Sequence, residues 1–180
     1  MEQTSVQRLA RVLRVMVMIV FGCNILALPI VPSMVYWYAS MEFLPTNPTL
    51  LFLWLNGLSR VWKRSPYTLM LSLFLVVSGI CTAIILWQGK RVLDTILKGN
   101  PFVMDNAKSL KRAAVCCFLI SGAALARLIW GFIYYQSILP LLTYNALFVP
   151  IFLMGGLLFM VMSALFRQAA QMKAENDLTI

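Results

Sequence analysis

The chain has 180 residues, 61% of them hydrophobic and 12% charged, with a net charge of +9 and a mean hydropathy of +0.84. A soluble domain is about half apolar and about a quarter charged. This balance excludes a disordered chain, a solenoid with a polar face and an ordinary soluble enzyme.

The apolar residues are blocked into runs of bilayer length. There are 27 residues without a charge between Arg14 and Glu42, 25 between Arg64 and Lys90, and 54 between Arg112 and Arg167 broken only by Arg127. A membrane helix needs about 20 mostly apolar residues to cross a core of about 30 Å. The first two runs hold one span each. The third holds two, with a turn near Gln136–Asn145, where Pro140, Thr143 and Asn145 cluster. Dividing it at Arg127 leaves only 14 residues before the break, too few to cross. The expected spans are about 15–35, 67–88, 113–135 and 147–166, with a loop at 89–112 and a tail at 167–180. Spanning strands are excluded because the runs do not alternate polar and apolar residues. The first run is too long for a cleavable signal and continues through Pro29, Pro32 and Tyr36 to Tyr38, so it reads as a retained helix.

Charge placement orients the chain. With the N-terminus inside, Arg8, Arg11, Arg14, Lys90, Arg91, Lys98, Lys108, Lys111, Arg112, Arg167 and Lys173 are cytosolic, 11 of the 15 basic residues. Arg60, Lys63 and Arg64 are outside, and Arg127 is intramembrane. This positive-inside bias puts both termini in the cytosol. The expected fold is all-α: one integral membrane four-helix bundle over 1–180, N-in and C-in, in a bacterial cytoplasmic membrane. The basic residues flank spans and carry no nucleic-acid reading motif, so their partners are lipid headgroups rather than nucleic acid.

Much chemistry is missing. There is no histidine, and the six acids, Glu2, Glu42, Asp94, Asp105, Glu175 and Asp177, all lie outside the expected spans. That removes the usual general base, most zinc sites and the intramembrane carboxylate of a proton-coupled antiporter. No nucleophile elbow, phosphate loop or paired CxxC is present. Cys23, Cys81, Cys116 and Cys117 lie within spans, as small packing residues rather than an accessible redox pair. Neither catalysis nor a cofactor or metal is expected.

Four features remain. Arg127 lies 14 positions after Ala113, roughly 21 Å into the third span at 1.5 Å per residue. One reading has it snorkel outward toward Glu42. Helix side chains lean toward their own N-terminus, here inward, which favours a buried site with Asn24, Ser78 and Thr82 as polar partners. In the inner loop, Gly99 is a natural helix terminator and Pro101 prevents resumption, leaving Phe102 to insert into apolar surface. Asp105 then suits the first turn of the next helix. The loop reads as a capped hairpin, or as a docking surface made by Gly99, Pro101, Phe102 and Asn106. The tail continues the last helix, and Glu175 and Asp177 could pair with the basic loop. In the first outer loop, Leu51, Trp54, Leu55, Leu58, Val61 and Trp62 recur at helical spacing, as in a short interfacial helix over 49–64.

Gly99, Asn100, Pro101 and Phe102, followed by Asn106, Ala107 and Leu110, Lys111, Arg112, form a recurring pattern, as does the tail from Glu175 to Ile180. Together they resemble the bacterial YoaS-like membrane protein family, a domain of unknown function (DUF2975). Its members have four spans, a G-x-P-F-x-x-x-N-x-x-x-L loop and an E-N-D-L-T-I-like end. Position 103 is Val where a Ser or Thr cap belongs, which shifts the expected cap toward Asp105. The family has no established activity. Members are often encoded beside a small helix-turn-helix regulator, which implies by association a cytosolic transcription regulator as partner. The expected function is a sensory or regulatory membrane protein whose inner loop and tail contact that partner. The alternatives are a small transport or channel subunit working as a homo-oligomer, with Arg127 binding an anion or headgroup, and an accessory subunit of a membrane complex.

Overall fold

A computed structural model of the chain describes residues 5–31, 34–35, 66–136, 138 and 144–178. The expected interfacial helix at 49–64, and Glu42, lie outside the described residues. Four long helices appear in chain order: α1 (Ser5–Ala27), α2 (Pro66–Leu97), α3 (Met104–Tyr135) and α4 (Phe148–Leu178), the last entered through a 3-10 turn, Tyr144–Leu147. No strand occurs among the described residues. All four helices are long and apolar enough to cross a membrane, so the chain is an all-α, multi-pass membrane protein. In lipid every backbone N–H and C=O has to be satisfied within its own segment, which is why apolar runs of this length become helices.

Local chemistry sets the helix ends. α1 stops at Ala27 because Pro29 has no N–H to continue the ladder, and helical residues resume at Val31, Met34 and Val35. Leu28 N–H makes the last helical bond, to the Asn24 carbonyl, and Ile30 N–H folds back to Ala27 in a tight turn. α2 ends in a Schellman motif. Gly99 N–H bonds the Ile96 carbonyl at 3.0 Å, Asn100 N–H bonds the Thr95 carbonyl at 3.1 Å, and Gly99 takes φ +75°. α3 ends differently, on Gln136 at φ +48°, whose N–H returns to the Phe132 carbonyl. A side chain in this left-handed region costs about 1–2 kcal/mol, which the closing hydrogen bond partly offsets. Pro150 falls in the first turn of α4, where its missing N–H has no intrahelical partner to lose.

The helices outrun the expected spans. A 32-residue helix such as α2 or α3 measures roughly 48 Å at 1.5 Å per residue, against a hydrocarbon core of about 30 Å. Their surplus adjoins the short 98–103 connection, so both helices continue as helix past the last uncharged residue.

The packing divides into two compact units. The first takes the described residues of 1–22, 82–118 and 152–180, and the second those of 23–81 and 119–151. In the first, α3 contributes a face of small residues: Ala107, Ala113, Ala114, Cys116 and Cys117 are all buried. Phe21 meets Trp87 at 5.7 Å between ring centroids, tying α1 to α2. Phe118 of α3 lies directly over Gly156 of α4. In the second unit, Phe74 of α2 is buried and meets Phe148 edge-on at 6.2 Å. Ser121 of α3 donates to the Val149 carbonyl of α4 at 3.0 Å. Leu28 packs against Gly79.

A Cβ at position 156 falls 2.7 Å from Phe118 Cε1, well inside contact distance. Gly156→Ala should therefore lower thermal stability in detergent, with an overpacking cost of about 1–3 kcal/mol. Phe118→Leu in the same chain should recover part of the loss. Equal Tm values for Gly156→Ala and the parent would refute the contact.

Candidate functional site

The residues singled out in the sequence fall in two places, one in each unit. The first surrounds the connection between α2 and α3. Asn106, in the first turn of α3, is 1% exposed. Its Nδ2 donates to Thr95 Oγ1 and to the Pro101 carbonyl, both at 2.6 Å. Thr95 Oγ1 in turn donates to the Val92 carbonyl at 2.7 Å. One carboxamide thus ties the last turn of α2, the loop and the first turn of α3 together. Val103 stands in the N-cap position with no side-chain oxygen, and Asp105 turns outward to Lys108 at 3.6 Å. Asn106 N–H bonds the Val103 carbonyl.

The extension of α4 packs on this loop. Phe102 and Phe166 lie 5.8 Å apart between ring centroids, although Phe102 keeps about half of its surface exposed. Lys173 Nζ donates to Asn100 Oδ1 at 2.7 Å. Ser163 Oγ donates to the Ala107 carbonyl at 2.7 Å, next to Asn106. The loop therefore meets α4 through one ring pair and one hydrogen bond, and Ser163 adds a bond from α4 to the first turn of α3. Glu175 is exposed, and the side chain of Asp177 lies outside the described residues. Arg14 of α1 bonds Asp94 of α2 at 2.8 Å, the arginine exposed and the carboxylate part-buried.

Of the candidate docking residues, Asn106 is consumed internally and acts only through the loop it holds. Gly99 supplies the left-handed backbone, and Pro101 supplies the carbonyl that Asn106 reads. Phe102 and Glu175 remain accessible at the surface.

The second place is Arg127. Its guanidinium lies over the Phe74 ring, 5.1 Å from Cζ to the ring centroid, and the residue is half-buried. Of the expected polar neighbours, Asn24 and Ser78 belong to the same unit, and Thr82 belongs to the other. Ser78 follows Phe74 by one helical turn and so shares its face of α2. Asn24 Oδ1 is shielded and accepts no hydrogen bond. The partner on Arg127 is thus an aromatic face, which composition alone does not single out among 11 Phe. A cation over a ring contributes about 0.5–1 kcal/mol when exposed and about 2 when desolvated.

Sequence reasoning missed Thr95, Phe166, Ser163 and the Arg14–Asp94 pair. Thr95 carries a readable signal in retrospect, since a hydroxyl four residues before a terminating glycine sits opposite the next helix start. Among the described residues no cluster of His, Cys, Asp or Glu could hold a metal ion.

Residues 54–180 match the model of a family described as a protein of unknown function, DUF2975. No curated protein and no solved structure matches the chain.

Removing the Asn106 carboxamide leaves Thr95 Oγ1 and the Pro101 carbonyl without their donor. Asn106→Ala should cost about 1–3 kcal/mol and expose the 98–103 connection to protease. Asn106→Asp, which keeps the shape but replaces donors by acceptors, should be at least as damaging. A protease-resistant Asn106→Asp loop would refute this role.

Proposed function

The chain belongs to the DUF2975 family, and we propose that it is a sensory or regulatory protein of a bacterial cytoplasmic membrane, without enzymatic activity. In this reading both termini are cytosolic, as the basic residues favour. The loop between α2 and α3 and the extension of α4 then form one cytosolic platform. The observation that supports it is the packing of these two segments on each other through Phe102, Phe166, Asn100 and Lys173. A preformed platform presents a fixed surface without the ordering cost of a loose tail. Phe102 and Glu175 are its exposed features, one apolar and one acidic. A signal that shifts α4 along α3 alters this surface directly, because α4 carries half of it.

The partner that fits is a cytosolic protein such as a helix-turn-helix transcription regulator, held or released according to the state of the helices. The transport reading draws less support, because the guanidinium of Arg127 rests on an aromatic ring instead of lining an open polar site.

Pull-down with the full chain in nanodiscs tests the platform. Deleting 175–180 and changing Phe102→Ala should each weaken capture of the cytosolic partner, and Lys173→Ala should weaken it less. A partner set that survives the deletion combined with Phe102→Ala would overturn the docking role.

A further inference from the structure

Two grooves in the first unit border cations with apolar side chains. One, of about 420 Å³, is lined by Arg11, Arg14 and Lys90 with Val15, Met18 and Ile19. Two of its three cations are already engaged: Arg14 by Asp94 at 2.8 Å, and Lys90 by the Trp87 ring at 4.7 Å. The other, of about 430 Å³, is lined by Ile84 of α2 and by Lys108, Lys111, Arg112, Val115 and Cys116 of α3. Here only Lys108 has an acid nearby, the exposed Asp105 at 3.6 Å. Lys111 and Arg112 are exposed and have no carboxylate partner among the described residues.

We propose that this second groove is a binding site for an anionic phospholipid. Its phosphodiester is held by Lys108, Lys111 and Arg112, and one acyl chain lies along Ile84 and Val115.

The order of groups along the helix carries the argument. Positions 111 and 112 each stand three or four residues from both 108 and 115, so the four line one face of α3. The charges come first, and Val115 follows about 4.5 Å deeper at 1.5 Å per residue. Arg112 is also the last charge before the uncharged stretch that runs to Arg127. The groove therefore crosses from headgroup level to hydrocarbon level in the order in which a phospholipid presents its own parts. Ile84 and Val115 keep 39% and 48% of their surface exposed, so the apolar half of the groove is open to a chain. A free inorganic anion meets the same cations but gains nothing from that half. Basic pockets between membrane helices are a recognised mode of anionic headgroup binding.

The experiment uses the full chain in detergent, titrated with phosphatidylglycerol or phosphatidylcholine and read by native mass spectrometry. Phosphatidylglycerol should be retained in preference. Each neutralised groove cation should weaken that retention about fivefold, so Lys111→Gln with Arg112→Gln should weaken it more than tenfold. Arg91→Gln with Lys98→Gln removes the same charge from outside the groove and should leave retention nearly unchanged. Ile84→Trp fills the apolar half with every cation in place and should also weaken it. Millimolar inorganic phosphate should fail to displace the lipid. Equal losses from the two charge pairs would mean diffuse surface attraction and overturn the site. Displacement by phosphate, or an Ile84→Trp variant that binds like the parent, would overturn the lipid as occupant.

Discussion

Between helices in a bilayer the hydrophobic effect has little to offer, because lipid tails are as apolar as leucine. What holds such helices together is close approach of backbones and a few polar contacts. In this chain that constraint falls on α3. Of its most apolar stretch 39% is buried, against 22% for α2 and 6% for α1 and for α4, so α3 is the most buried of the four. Most of its buried residues are small, Ala107, Ser109, Ala113, Ala114, Cys116, Cys117, Ser121 and Ala124, and admit a neighbour closely, with Asn106, Leu110 and Ile120 buried among them. Gly156 on α4 answers them by giving Phe118 room. Cys81, Cys116 and Cys117 are buried and serve the same need as compact packing residues, whereas Cys23 is exposed. The exposed large residues of α1 and α4, such as Ile19, Leu158 and Met154, are the lipid-facing complement of this arrangement.

Close packing alone does not define a register between smooth apolar helices, and here the polar contacts specify it. Each one joins a side chain to a single atom on another helix or loop: Ser121 to the Val149 carbonyl, Ser163 to the Ala107 carbonyl, Asn106 to Thr95 and Pro101. The Ser163 bond lands one residue from Asn106. Sliding α4 by one turn breaks it and separates Phe166 from Phe102 together. The loop and the helix that covers it are thus coupled through adjacent residues.

The number and type of elements were legible from the charge gaps, because the cost of a charge at membrane depth leaves a plain mark in sequence. The end of α2 was legible from Gly99, whereas Pro140 and Thr143, expected to turn the chain between α3 and α4, lie outside the described residues. The extent of the helices was not. The spans were bounded at the last uncharged residue, whereas a helix continues into water wherever propensity and tertiary contacts support it. α1 ended early for the opposite reason: Pro29 interrupts it although the run remains apolar. At the candidate site Gly99, Pro101 and Phe102 declared themselves through backbone chemistry. Phe166, Ser163 and Lys173 did not, since each acts only because α4 returns to the loop from more than 50 residues away. The Arg14–Asp94 pair was hidden for the same reason.

These two arginines show how position selects the compensation. Arg14 faces the last turn of α2, where a carboxylate is tolerated, and it takes Asp94 at 2.8 Å. Arg127 lies deep in an apolar helix, and the six acids of the chain all fall outside the uncharged runs. A carboxylate placed there would bring its own desolvation cost, which pairing repays only with good geometry. The ring of Phe74 adds attraction without adding a second charge, and as a buried residue it contributes to packing regardless of the cation. A ring covers one face of the planar guanidinium and leaves its N–H edge available, whereas a bidentate carboxylate occupies that edge. Arg127 of α3 and Phe74 of α2 thus join two helices of the second unit, with the cation as the one charge of the pair.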